Sequence, residues 1–449
     1  MSLDSKREGG RVKLVRYFRP FFAFFLMPAL APCTAGAATL DVPGDYSDIQ
    51  SALDGANDGD VVRVAPGTWD VDLTFGGGKS VTLASHFIDS GDEGFIASTI
   101  LDGFARTQVV TVHSSAGPDT AIIGFTIRNA SDGIHASGKF GLHNSLVRDT
   151  GDGIDYENGG GGLVTDCIFE DNADDGLDFD GSSAATIERT VIRNNGDDGI
   201  EVRLHNWTGS LLEIVIRDSE ITGNGEDGIQ LIDDTALSNR EFTFERNIIA
   251  NNADAGIGMM CCQDTTEDLS GAPIAERVNV FDNTIVGNTA GITGGVNVVA
   301  LNNIIANNTA HGLFNVTTAG DGSTTSIAAY NLLFGNTPDV ETSNIDGEST
   351  VFADPLLDAA FELLPSSPAI DAGTASFTWD SELVLDRLPN EYSGDAPDCG
   401  ARESVAASVS SMPGWALAVT ALIVTLIPPA FFAPRRRARP GAQGTLRAH

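Results

Sequence analysis

The chain is 449 residues long and strongly acidic, with 62 Asp and Glu against 26 Lys and Arg for a net charge of −36, and it carries 50 glycines. A surface of that sign repels phosphate backbones, which excludes nucleic acid as a partner. So many glycines suit a fold rich in turns.

At the start, Lys6, Arg7, Arg11, Lys13, Arg16 and Arg19 precede an apolar run from Phe21 to Leu30 and then Ala35-Gly36-Ala37. Basic, apolar and A-x-A segments in that order predict a secretory signal peptide over residues 1–37, cleaved before Ala38. In an exported protein Cys167, Cys261, Cys262 and Cys399 can pair as disulfides, and the sequence leaves the pairing open. Their spacing matches no zinc pattern.

Within residues 38–99, Ser47-Asp48-Ile49-Gln50 reads as a capping box, and Ile49, Ala52, Leu53 and Ala56 share one helical face. A short amphipathic helix is expected there. Strand and turn follow in the segment from Asp60 to Ala65-Pro66-Gly67-Thr68-Trp69.

From residue 100 to 350 one phrase keeps returning: Asp132-Gly133-Ile134, Asp152-Gly153-Ile154, Asp175-Gly176-Leu177, Asp198-Gly199-Ile200, Asp227-Gly228-Ile229, Ala255-Gly256-Ile257, Ala290-Gly291-Ile292 and His311-Gly312-Leu313. The glycines are 20, 23, 23, 29, 28, 35 and 21 residues apart, a period of one solenoid turn per repeat. After each Gly, apolar and polar residues alternate as in a strand, with Ile154, Tyr156, Leu177, Phe179, Ile200 and Val202 pointing inward. Glycine supplies the turn conformation, and the preceding Asp is placed to bond local amides.

Two further columns keep the same register. Asn129, Asp149, Asn172, Asn195, Asn224, Asn252 and Asn308 stand three residues before the residue preceding Gly, where stacked amides can bond from coil to coil. Just upstream, Phe169, Ile192, Ile221, Ile249, Ile285, Ile305 and Leu333 mark a second inward strand in each coil. The 35-residue gap places an insertion from Met259 to Ala275, expected to bulge from the solenoid.

The combined pattern resembles the right-handed parallel β-helix repeat family, whose best known members are pectate-lyase-like proteins. The fold expected is all-β, one elongated right-handed parallel β-helix with a helical N-terminal cap and an irregular C-terminal cap. The helix followed by Pro-Gly-Thr-Trp resembles the opening segment of many β-helix polysaccharide enzymes. A nine-residue calcium-binding roll is excluded by the repeat length.

Residues 351–403 carry Ala353-Asp354-Pro355-Leu356-Leu357, then Ser367-Pro368-Ala369-Ile370-Asp371-Ala372-Gly373, then Asp398-Cys399-Gly400-Ala401-Arg402. This segment resembles the choice-of-anchor Q domain of bacterial surface β-helix proteins, although Cys399 and Arg402 depart from its usual ending. A linker at 404–411 leads to an apolar span at 412–433 and a basic tail at 434–449 with Arg435, Arg436, Arg437 and Arg439. The span is long enough to cross a membrane, with the arginines cytoplasmic. The whole tail resembles tripartite C-terminal sorting signals, which implies membrane or sorting machinery as a partner and the cell envelope or surface as the location.

The outward residues after each Gly form two rows: His135, Asp155, Asp178, Glu201 and Gln230, and beside them Ser137, Glu157, Asp180, Arg203 and Ile232. At a coil spacing of about 4.8 Å, two carboxylates repel by roughly 3.5 kcal/mol at an effective dielectric of 20. Calcium, which takes oxygen ligands, can offset that repulsion by bridging coils. The family resemblance implies Asp155, Asp178, Asp180 and Glu201 as calcium ligands, with Arg203 binding a uronate carboxylate or acting as base. His135, Glu157 and Gln230 are then the substrate-binding neighbours. Asp174, Asp197 and Glu226, in the turns beside the repeat Asp, are expected to cap those turns, the alternative being that they extend the ion site.

The reading that follows is an exported, surface-associated β-helix protein that binds polysaccharide, uronate-containing by resemblance, through calcium. One alternative is a calcium-dependent lyase or epimerase acting on uronate sugars. Another is a purely structural spacer.

Overall fold

The computed structural model describes residues 36–233, 238–261 and 269–404. Almost all of the expected signal peptide, most of the linker, and the whole apolar span and basic tail lie outside these residues. Among the described residues no helix is long and apolar enough to cross a membrane.

The fold is a right-handed parallel β-helix. Each middle coil contributes three strands, as in Ile168–Glu170, Leu177–Phe179 and Ala184–Glu188. Each of these pairs in parallel with its counterpart one coil on, while Ser376–Trp379 and Glu382–Asp386 form a separate antiparallel pair. The post-glycine column Ile154, Leu177, Ile200, Ile229, Ile257, Ile292 and Leu313 is in register throughout and fully buried. So is the column from Phe169 through Ile192, Ile221, Ile249, Ile285 and Ile305 to Leu333.

A third face closes the coil. It is a 12-stranded parallel sheet whose inner column runs Leu142, Val164, Ile187, Ile216, Phe244, Val280, Ala300 and Ala328. The sequence columns show two strands per coil and miss this one, because loops of unequal length separate it from the glycine marker.

The turn before each post-glycine strand holds an amide ladder in which Asn172, Asn195, Asn224, Asn252, Asn288 and Asn308 each donate from Nδ2 to the next Oδ1, ending on Asn336, at 2.8 to 3.2 Å. Asn129 and Asp149, expected in this column, stand one position earlier with left-handed backbone, and Thr150 caps the ladder on Asn172 at 2.7 Å. A second ladder, Asn247, Asn283, Asn303 and Asn331, lines another turn.

The repeat glycine has a different cause from the one expected. Gly199 has ordinary backbone, but a Cβ there would stand 2.6 Å from the Gly228 carbonyl and 2.6 Å from Ile221 Cγ2. Close approach of coil to coil requires it.

The helix Ile49–Gly55 covers the N-terminal end with Ile49, Ala52 and Leu53 buried. Its N-cap is Asp48, which accepts from Ser51 N, and Gln50 does not close a box on Ser47. Instead Gln50 exchanges hydrogen bonds with the Thr74 backbone, satisfying the edge of the first coil. At the insertion, Met259 and Met260 do not bulge but extend the strand Ala255–Cys261 and are buried, while Ala272 and Ile274 rejoin the core. Cys261 is disulfide-bonded, and Cys167 and Cys399 are free and buried.

Residues after 351 lie along the outside of the last coils. Ala369 and Cys399 pack on the outward side chains Ile304, Ala306 and Leu332, and Leu385 packs on Val299, Leu301 and Ala329. Arg387 anchors this segment through ion pairs with Glu245 and Asp282.

Candidate functional site

The post-glycine strands place three rows of polar side chains on one outer face. The central row is in register from coil to coil as His135, Asp155, Asp178, Glu201 and Gln230. The second row ends with Arg203 beside Ile232. The third row is the repeat Asp itself, and its carboxyl groups do not bond local amides as expected. Asp152 accepts from Asp175 N at 3.2 Å, Asp175 from Asp198 N at 2.8 Å and Asp198 from Asp227 N at 2.7 Å, so each carboxyl clasps the next coil.

This geometry buries acids beside acids. Burial, then Asp174, Asp132 and Asp155, push the Asp152 carboxyl up to about 7. Burial, then Glu201 and Asp180, push Asp178 to about 9, and burial with Asp198 and Glu201 pushes Asp175 to about 11. Asp198 is raised by burial and by Asp227. With no cation beside them, such groups hold their protons near neutral pH.

Three clusters bring one ligand atom per residue within 4.8 Å of one another: Asp132, His135 and Asp155; Asp174, Asp175 and Asp197; and Asp175, Asp178 and Glu201. In the last, Asp178 Oδ1 is buried with no hydrogen-bond partner. The four residues expected as calcium ligands do not fall in a single cluster. Asp178 and Glu201 stand together with Asp175, Asp155 is bonded to His135 Nδ1 at 2.7 Å, and Asp180 faces Arg203 Nε at 3.7 Å. Asp175 escapes sequence reading because the fold already accounts for an Asp before each Gly.

Arg203 donates to Glu201 Oε1 at 2.6 Å. Burial works against its charge, but Glu201 and Asp180 outweigh it and raise the guanidinium's pKa further. A guanidinium held this way suits a carboxylate ligand better than an incoming proton. Glu157 is half-buried at the edge of the second row, and Gln230 is buried beside Glu201.

His205, which sequence separation alone does not connect to the strip, stands 3.5 Å from Asp180. Gly181 N donates to its Nδ1 at 3.0 Å, and Arg240 bonds the carbonyls of both His205 and Gly181.

Toward the N-terminus the central row continues through Thr111 to Thr74. There a cavity of about 620 Å³ opens beside the capping helix, lined by Asp54, Asp72, Thr74, Phe75, His113 and Ser115 among others. Lys79, also at its wall, donates to the carbonyls of Leu53, Asp54 and Ala56 and so caps the helix.

Residues 95–233 match the family model of the right handed beta helix region. In structure the chain is similar to pectate lyase Pel9A, with a TM-score of 0.54 and 16% identity over 83% of this chain and 97% of that one. It is also similar to the mannuronan C-5 epimerase AlgE6 A-module of Azotobacter vinelandii, with a TM-score of 0.42 and 16% identity over 68% and 94% of the two chains. A family 28 exopolygalacturonase of Yersinia enterocolitica gives 0.38 and 13% over 70% and 79%. At 16% identity the likeness to the pectate lyase is one of fold alone. None of the curated proteins matches the chain in sequence.

Proposed function

We propose that this chain is an exported envelope or surface protein that binds a uronate polysaccharide through calcium held by Asp175, Asp178 and Glu201. The observation that carries this reading is the unpartnered buried oxygen of Asp178 within reach of ligand atoms from Asp175 and Glu201 on neighbouring coils. Oxygen-only donors at that spacing suit calcium, which tolerates irregular carboxylate coordination. When bound, the ion neutralises the strip and draws a sugar carboxylate to it. Arg203, kept charged by Glu201 and Asp180, supplies the second contact to that carboxylate. The fold shared with a pectate lyase supports the substrate class.

Titrating calcium into the full chain by calorimetry at pH 8 is expected to show binding with proton release, since the ion displaces protons from raised carboxyls. Asp178→Asn should weaken it at least tenfold. Oligogalacturonate binding should then require calcium. Wild-type protein that binds no calcium would defeat the reading, and calcium binding that stiffens the protein without any sugar binding would make the strip a structural device.

A second reading, elimination or epimerisation at the uronate C5, is favoured by one contact. With Nδ1–H donated to Asp155, the other nitrogen of His135 is left to accept a proton. Elimination is expected to give unsaturated products absorbing in the ultraviolet, and epimerisation to give solvent deuterium at C5, either one lost by about a hundredfold in His135→Gln. Absence of both from wild-type digests that bind the same sugar would leave a binding protein.

A further inference from the structure

We propose that the cavity beside the capping helix seats the terminal sugar of the polysaccharide, so that the strip binds chain ends and not chain middles. The inference rests on the uronate-binding reading above.

Its basis is that the polar face is open in one direction only. Beyond Glu201 and Arg203 the rows are blocked, because Gln230, Ile232 and Met260 are 2%, 3% and 4% exposed. A chain held at Glu201 must therefore run toward the N-terminus. In that direction the floor stays low, with Ser137 and Thr111 on the coils between the acidic strip and the cavity. From Glu201 to Thr74 the central row takes five coil steps, about 24 Å at the usual strand spacing, room for several sugar rings.

The path then meets a wall. The helix Ile49–Gly55 is fixed to the first coil by Gln50 on Thr74 and by Lys79 on the helix carbonyls, so it cannot swing aside without breaking both sets of bonds. The cavity at its foot has the make-up of a sugar seat. The exposed His113 and Ser115 with Asp54 and Asp72 supply donors and acceptors around it, over a floor closed by the buried Leu53, Phe75 and Val81. With the hydroxyl of Ser115 and the ring of His113 beside its acids, it differs from the carboxylate-rich strip, and it suits a terminal ring bound by its hydroxyls.

The probes are the tri- and hexasaccharides of galacturonate, titrated calorimetrically into the full chain with calcium present. The hexamer should bind at least tenfold more tightly than the trimer, and Ser115→Trp, which fills the cavity, should bring its affinity down to that of the trimer on wild-type protein. His113→Ala should lower hexamer affinity severalfold, and both variants should melt with the wild type. A hexamer bound no better than the trimer, or a folded Ser115→Trp protein that keeps the hexamer's advantage, overturns the terminal seat while leaving the calcium strip intact. Loss of binding for both oligomers on wild-type protein overturns the strip reading and the seat with it.

Discussion

In the presence of a chelator, the protein is expected to lose unfolding free energy as pH rises from 5 to 9, and millimolar calcium is expected to remove most of that loss. The sign follows from the direction of the shifts. Asp152 and Asp178 have folded pKa values near 7 and 9, above their unfolded value near 3.8, so the folded state holds protons that the unfolded state has released. Their contribution is complete below pH 4 and disappears as pH climbs through those values. For Asp152 alone it is at most on the order of 4 kcal/mol, at about 1.4 kcal/mol per unit. Calcium substitutes a divalent charge for the protons of Asp175 and Asp178, so the loaded protein should show a shallower profile that keeps the part due to Asp152. Asp178→Asn should make the chelated profile shallower between pH 5 and 9, with the slope from Asp175 remaining, and abolish most of the calcium response. Denaturant unfolding at several pH values reads this directly, and a chelated protein equally stable at pH 5 and 9 would show that the acids are not held protonated.

The largest purely structural effect is expected at the amide ladder. Asn252 Oδ1 accepts from both the backbone N and the Nδ2 of Asn224, and its own Nδ2 serves Asn288 Oδ1 and the Ile221 carbonyl. Asn252→Leu fits the volume but strands these buried partners, at about 1 to 3 kcal/mol for each group left without a bond. A loss of at least about 4 kcal/mol is expected. Urea unfolding with a loss below about 1 kcal/mol would mean that the ladder is an accessory to the apolar stack.

Much of this architecture was legible in the residues themselves. The phrase Asp-Gly-Ile marks the same point of every coil, so columns counted from it, such as Ile154 to Leu313 and His135 to Gln230, fall into spatial register. Columns not tied to that marker were hidden. The third sheet and the Asn247 ladder lie beyond loops of variable length, and the offset of Asn129 and Asp149 follows from the turns before Gly133 and Gly153 being one residue shorter than the turn before Gly176. At the candidate site, sequence placed the acids in one row of an outer face but could not show which carboxyls converge. Asp175 has two roles at once, clasping the Asp198 amide with one oxygen while standing within reach of Asp178 and Glu201. Such a dual role is invisible when every coil carries the same Asp.

The in-register stacking also makes the molecule a ruler. Within each polar row of the outer face every group is borne by a separate coil, and the backbone and amide ladders lock the coils at a pitch of about 4.8 Å. A substitution changes what a graduation carries but not where it stands. The interval between the acidic strip and the cavity at the capping helix is therefore set by a whole number of coils, and only the gain or loss of a complete repeat could lengthen or shorten it. Repeat number, more than side-chain chemistry, would then be the variable by which such a scaffold is adapted to a different polymer length.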